Sequence, residues 1–142
     1  MTKVMVPVDG STHSLHAVDH VIRGVTAGGA QPEVHLINVQ PQILSGHARM
    51  YLKKDLIDEY YLEEAQKALK PAQEKLDKAG IKYIVSHQVG NTPEIIAKYV
   101  KSKGCDMVVM GTRGLGSMHG MVLGSVATKV LHLVDVPVTL VK

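Results

Sequence analysis

The chain of 142 residues contains no phenylalanine and no tryptophan, and it holds one cysteine. A core without Phe or Trp has to be aliphatic, built from Val, Ile, Leu, Ala and Met. A single cysteine, Cys105, excludes an intramolecular disulfide framework and a cysteine-based zinc site. It fits a reducing compartment. Arginine is also scarce, occurring only as Arg23, Arg49 and Arg113. No Lys/Arg-rich run interleaves with aromatics. The formal charge of +3 therefore tolerates an anionic ligand without pointing to nucleic acid. No apolar run approaches the roughly 20 residues of a membrane span, and no stretch near Met1 reads as a signal peptide. The expectation is a soluble, cytoplasmic protein with no membrane or nucleic-acid partner. The length suits one domain, residues 1–142. The hydrophobic share of 45% is too high for disorder.

Five short apolar runs are present: Val4–Val8, Val34–Val39, Tyr83–Val89, Met107–Met110 and Val136–Val141. Their length and β-branched content predict strands. Helical spacing fills the gaps. Leu15, Val18, Ile22 and Val25 form one stripe, and Leu62, Ala65, Leu69, Ala72 and Leu76 form another. Two further helices are expected over about Pro93–Lys103 and Ser125–Val134. Strict strand–helix alternation implies an open five-stranded parallel sheet with helices on both faces, a Rossmann-like α/β fold. Ser86, His87 and Gln88 make the third strand an edge candidate. Thr92-Pro93-Glu94 reads as a capping hydroxyl, an early proline and a first-turn acid. Gly80 reads as a helix stop. Pro71 predicts a kink in the second helix. Pro137 argues for an edge strand, or for a proline at a position whose N–H would face outward. The stretch from Pro41 to Tyr51 reads as a long loop.

Glycine is unevenly placed. Five of the 13 glycines fall between Gly111 and Gly124, where the fourth strand hands over to the fourth helix. Parallel α/β sheets bind ligands at the carboxyl ends of their strands. Glycines let backbone N–H groups approach an anion. The helix starting near Ser125 adds free N–H groups and its positive dipole end. The segment reads either as a phosphate cradle or as a plain connecting loop. It is not a P-loop, because Ser117 follows Gly116 where lysine is required. Nor does Asp9-Gly10-Ser11-Thr12 after the first strand match the dinucleotide fingerprint. Pro7-Val8-Asp9 brings a carboxylate to the end of the first strand. Asp9 can serve either ribose hydroxyls or a helix cap.

The spacing Gly111, two residues, Gly114, nine residues, Gly124-Ser125 resembles the ATP-binding motif of the universal stress protein family. Val6-Pro7-Val8-Asp9-Gly10-Ser11, Val108–Gly111 and Val136–Val141 are similar to that family's other strands and turns, and the likeness runs the length of the chain. The resemblance implies an ATP-binding stress-response protein acting as a nucleotide-dependent switch, with at most slow hydrolysis. It places Pro7, Val8 and Asp9 at the adenosine end and Val39 on the adenine. Met110 and Gly111 lie along base and ribose. Gly114, Gly124, Ser125 and Val126 offer donors to the phosphates, and Arg113 lies within the motif. Mg²⁺ or Mn²⁺ would come with the phosphates. A homodimer through the last strand, Val136–Val141, is also implied.

Other residues have plainer readings. His13, His16 and His20 read as a solvated face opposite the apolar stripe. Cys105 reads as a small buried hydrophobe. Glu63 and Lys67 are spaced for an ion pair. His119 could meet a phosphate or lie at the surface. A rival reading is a non-enzymatic dimeric interaction module. A phosphoacceptor receiver domain is set aside, because the first strand offers only Asp9 and the third ends in His87-Gln88-Val89.

Overall fold

A computed structural model describes residues 1–42, 53–115 and 123–142. Most of the loop expected from Pro41 to Tyr51 lies outside the described residues. So do Gly116, Ser117, Met118, His119, Gly120 and Met121. The five strands are β1 (Lys3–Pro7), β2 (Glu33–Gln40), β3 (Tyr83–Val89), β4 (Met107–Gly111) and β5 (Val138–Val141). The four helices are α1 (Thr12–Thr26), α2 (Lys54–Lys78), α3 (Thr92–Lys103) and α4 (Ser125–Leu133). All strand pairs are parallel, in the order β3-β2-β1-β4-β5. The expected five-stranded parallel sheet is thus present, with β3 and β5 as its edges.

Alternation along each strand divides the core in two. Val4, Val6 and Val8 join Val34, Leu36 and Val109 under α1 and α2. Met5, Ile37, Val108 and Met110 face the other way, against Ile96 and Tyr99 of α3 and Ala127 and Val130 of α4. Burying each such aliphatic side chain contributes roughly 1.5–3 kcal/mol, which compensates for the missing large aromatics. Cys105 is buried as a small hydrophobe in the second cluster.

Several local expectations are corrected. The buried stripe of α1 is Ser14, Ala17, Val18 and Val21, with Leu15, Ile22 and Val25 at its margin. His13 and His16 do not form a solvated face. Both are partly buried, because α1 packs over β4 and β5, and His16 Nδ1 lies 2.9 Å from the Lys142 carbonyl. Only His20 of the three is exposed. Asn91, not Thr92, caps α3: its side chain accepts the Glu94 N–H at 3.2 Å. Asparagine has the extended backbone that the cap position requires, while Thr92 already sits in the first turn. Lys67 pairs with Glu64 at 3.3 Å, not with Glu63. α2 begins at Lys54, earlier than its apolar stripe, and Pro71 lies inside it as expected. β5 starts one residue after Pro137, whose carbonyl still accepts the Val108 N–H.

β1 and β4 are sheet neighbours although the chain visits β2 and β3 between them. The strand order therefore reverses between β1 and β4. At such a switch point the connections leave in opposite directions and open a crevice at the carboxyl edge.

Candidate functional site

A cavity of about 350 Å³ occupies that crevice. It is within the usual size range of small-molecule sites. The sheet supplies its inner wall: Pro7, Val8 and Asp9 after β1, Val39 from β2, and Met110 and Gly111 from β4. Arg113, Gly114, Gly124, Ser125 and Val126 form the side where β4 passes to α4. All eleven residues singled out from the sequence thus border one cavity.

Local chemistry fixes the first strand's end. Asn38 is buried and donates its amide to the Val8 carbonyl at 2.8 Å, while the Val8 N–H donates to the Ile37 carbonyl. Gly10, at φ 86°, then turns the chain in a conformation that disfavours other residues. Asp9 Oδ1 accepts the Ser11 N–H at 2.8 Å. Ser11 caps α1, accepting the Ser14 N–H through its hydroxyl. Asp9 and Ser11 therefore both stabilise the turn, and Asp9 keeps its second oxygen for other partners.

That second oxygen explains Gly114. A Cβ at this position would stand 2.6 Å from Asp9 Oδ2, so any side chain there would push against a carboxylate pinned by Ser11. Gly111 answers to another contact: its Cβ would lie 2.7 Å from the backbone of His13. It is required for packing α1 against β4. Gly124 is less confined, with neighbours at 3.4 Å. Its expected role as a phosphate donor is corrected, because its N–H donates to the Thr112 carbonyl at 2.7 Å. Gly124 instead precedes α4 and accepts the Thr128 N–H and hydroxyl through its carbonyl. The N–H groups of Ser125, Val126 and Ala127 in the first turn have no intrahelical acceptor.

The polar inventory is short. Among the described residues lining the cavity, Arg113 is the one cation and Asp9 the one carboxylate. Arg113 Nε is buried and has no hydrogen-bond partner, and nor does Thr112 Oγ1. A buried unpaired donor is costly, so an anionic ligand would satisfy it. Ser14, Thr92 and Ser125 add hydroxyls, and most of the remaining described wall is apolar. Val39, Met110 and Ile96 offer aliphatic contact, and none of the described tyrosines is among the lining residues. No group of three or more His, Cys, Asp or Glu among the described residues is placed to hold a metal ion.

Sequence reasoning missed Ser14, Pro41, Thr92, Ile96, Leu115 and Ala127 on this wall. Thr92 and Ile96 are four apart, on one face of α3. The available signal was general: the first turn after each strand faces the carboxyl edge.

The sequence profile of the universal stress protein family matches residues 1–142. Universal stress protein YxiE of Bacillus subtilis is 30% identical over 147 residues, covering 99% of this chain and 98% of the relative. The solved structure of protein MJ0577, from Methanocaldococcus jannaschii, superposes with a TM-score of 0.84 at 26% identity, covering 99% and 95% of the two chains. A family protein of Arabidopsis thaliana solved with AMP bound shares the fold, with a TM-score of 0.67 at 18% identity over 100% and 92%. With its whole length matched and the fold shared, the chain belongs to the universal stress protein family.

Proposed function

We propose that the protein binds an adenine nucleotide, ATP in the first instance, and acts as a nucleotide-dependent switch in a cytoplasmic stress response. The observation that carries this reading is the cavity at the β1–β4 switch point. It combines an aliphatic slot at Val39 and Met110 with the Asp9 carboxylate and an unpartnered Arg113 Nε. An adenine fits the slot, ribose hydroxyls suit Asp9, and a phosphate suits Arg113 with the free N–H groups at the start of α4. The AMP-bound family structure supports the same class of ligand.

Turnover is not the natural output of this site. Asp9 is the single carboxylate among the described lining residues, and one oxygen is already held by Ser11. Among the described residues little is left to orient an attacking water, which suits hydrolysis that is at most slow. Among the described residues the donor set offers no protein cage for a divalent ion. Mg²⁺ or Mn²⁺ would be carried by the phosphates and water.

The homodimer belongs to the same proposal. β5 is a four-residue edge strand whose residues are all half-exposed, and Leu131 and Leu133 of α4 are exposed nearby in sequence. An apolar edge of this kind suits pairing with a second copy. Sedimentation should give twice the chain mass, and Leu140→Lys should give the monomer.

Mass spectrometry of small molecules released from the freshly purified protein tests the ligand. An adenine nucleotide is expected. Saturation at 100 times Kd should stabilise the fold by about 2.7 kcal/mol. No released nucleotide, together with no rise in Tm at millimolar ATP, would overturn the proposal.

A further inference from the structure

The turn after β1 is held from β2 by a side chain. The β1–β2 register ends with Pro7 opposite Ile37, and the Val8 N–H adds one further bond to the Ile37 carbonyl at 2.8 Å. β1 then ends, and the Val8 carbonyl is met by the Asn38 amide at 2.8 Å. Asn38 is 1% exposed. Its Oδ1 accepts the Gln40 amide at 2.9 Å, which settles its orientation, nitrogen toward Val8 and oxygen toward Gln40. Gln40 is held in turn, because its backbone carbonyl accepts the Gly90 N–H at 2.9 Å. Burying an amide costs stability unless it is bonded. Both Asn38 bonds go to the rim of the cavity, one to the strand end that carries Asp9 and one to Gln40, between Val39 and Pro41 of the wall. Asn38 itself is not among the lining residues. The Val8 carbonyl and the Asp9 N–H share one planar peptide, so fixing the carbonyl fixes the direction in which Asp9 leaves the strand. The Ser11 N–H then holds Asp9 Oδ1, and Oδ2 stays available on the side of Gly114.

We infer that Asn38 is a positioning residue for nucleotide binding. It touches no ligand. It sets the Asp9 carboxylate so that Oδ2 meets the ribose hydroxyls, and the site therefore prefers ribonucleotides to nucleotides that lack those hydroxyls. This rests on the adenine-nucleotide reading above. A carboxylate aimed in advance gives up less freedom when the ligand arrives, so its hydrogen bond adds more to affinity.

Isothermal titration of the full chain with ATP and with 2′,3′-dideoxy-ATP, both in Mg²⁺, tests this. The parent protein should bind ATP about tenfold tighter, the worth of a hydrogen bond to a charged group. Asn38→Leu keeps the volume and drops the amide. It should weaken ATP about tenfold and dideoxy-ATP by no more than about twofold, so that the preference disappears. Asp9→Ala should remove the preference too, and the double variant should add nothing to that loss. A residue that served the fold alone would weaken both nucleotides alike and keep the preference, and that result overturns the inference. Gln40→Met, at a half-buried position, releases Asn38 Oδ1 and serves where Asn38→Leu does not fold. Its preference should fall about threefold, and an unchanged preference overturns the inference. A parent protein that binds both nucleotides equally also overturns it and leaves the adenine-nucleotide reading standing. Failure of the parent protein to bind either removes both.

Discussion

At the amino end of the sheet, His35 is buried and uses both ring nitrogens. Nδ1 lies 2.7 Å from Tyr99 Oη and Nε2 lies 2.8 Å from Glu33 Oε2. At the carboxyl end, Arg113 Nε, Thr112 Oγ1 and His13 Nδ1 are buried with no partner. Both ends draw on the same strands and the same aliphatic layers. Buried polar groups cost stability unless paired. One end satisfies them internally and stiffens the fold, while the other leaves them unpaired, with Arg113 on the cavity wall. The contrast locates function better than any single residue does. A fourth unpaired atom, Tyr61 Oη on α2, has no explanation in this scheme.

The comparison can be broken in several ways. Ile96→Ala should have the largest effect, because Ile96 is fully buried in the second core cluster and also borders the cavity. Denaturant unfolding should show a loss of roughly 2–5 kcal/mol, with weaker nucleotide binding.

The two ends should then part company. His35→Leu strands Glu33 and Tyr99 and should cost about 1–3 kcal/mol of stability, with nucleotide affinity unchanged. Arg113→Met removes an unpaired donor and keeps the aliphatic stem. Its unfolding free energy should fall by no more than about 0.5 kcal/mol, while its nucleotide Kd rises. If Arg113→Met destabilises as much as His35→Leu, the contrast between the two ends is wrong.

Within the carboxyl end, Gly114→Ala should weaken binding more than Gly124→Ala. The first pushes on Asp9 at 2.6 Å, whereas the second meets neighbours only at 3.4 Å. Titration of both variants gives the order, and equal losses would contradict it.

The smallest effect concerns pH. The His35 hydrogen bond holds the Glu33 carboxyl below its ordinary value of 4.5, and Lys3 adds to this. A depressed carboxyl contributes stability that is present above its unfolded pKa and is lost as pH falls through the folded one. Acid titration of unfolding should therefore show a component below pH 4.5 that Glu33→Gln removes. Burial raises the Cys105 and Tyr99 groups. Both therefore stay neutral in the folded protein at pH 7.

Much of the fold was legible in the chain because parallel strands buried on both faces read as bare apolar runs. Composition and the alternation of runs determined the aliphatic core, the five strands, the two edges and the carboxyl-end location of the glycines. The eleven candidate residues followed from the switch-point rule and the family spacing, and they border one cavity. Tertiary structure decided the rest. The rotation of α1 depended on how β4 and β5 cover its histidine side, which periodicity alone cannot register. Asn38, Ile96 and Thr92 enter the site from elements distant in sequence. The separate reasons for the motif glycines are also spatial: Gly111 faces the backbone of His13, Gly114 faces Asp9, and Gly124 donates to Thr112. A glycine in a sequence shows only that a side chain is missing. The atom that would have met it is known only when the chain is folded.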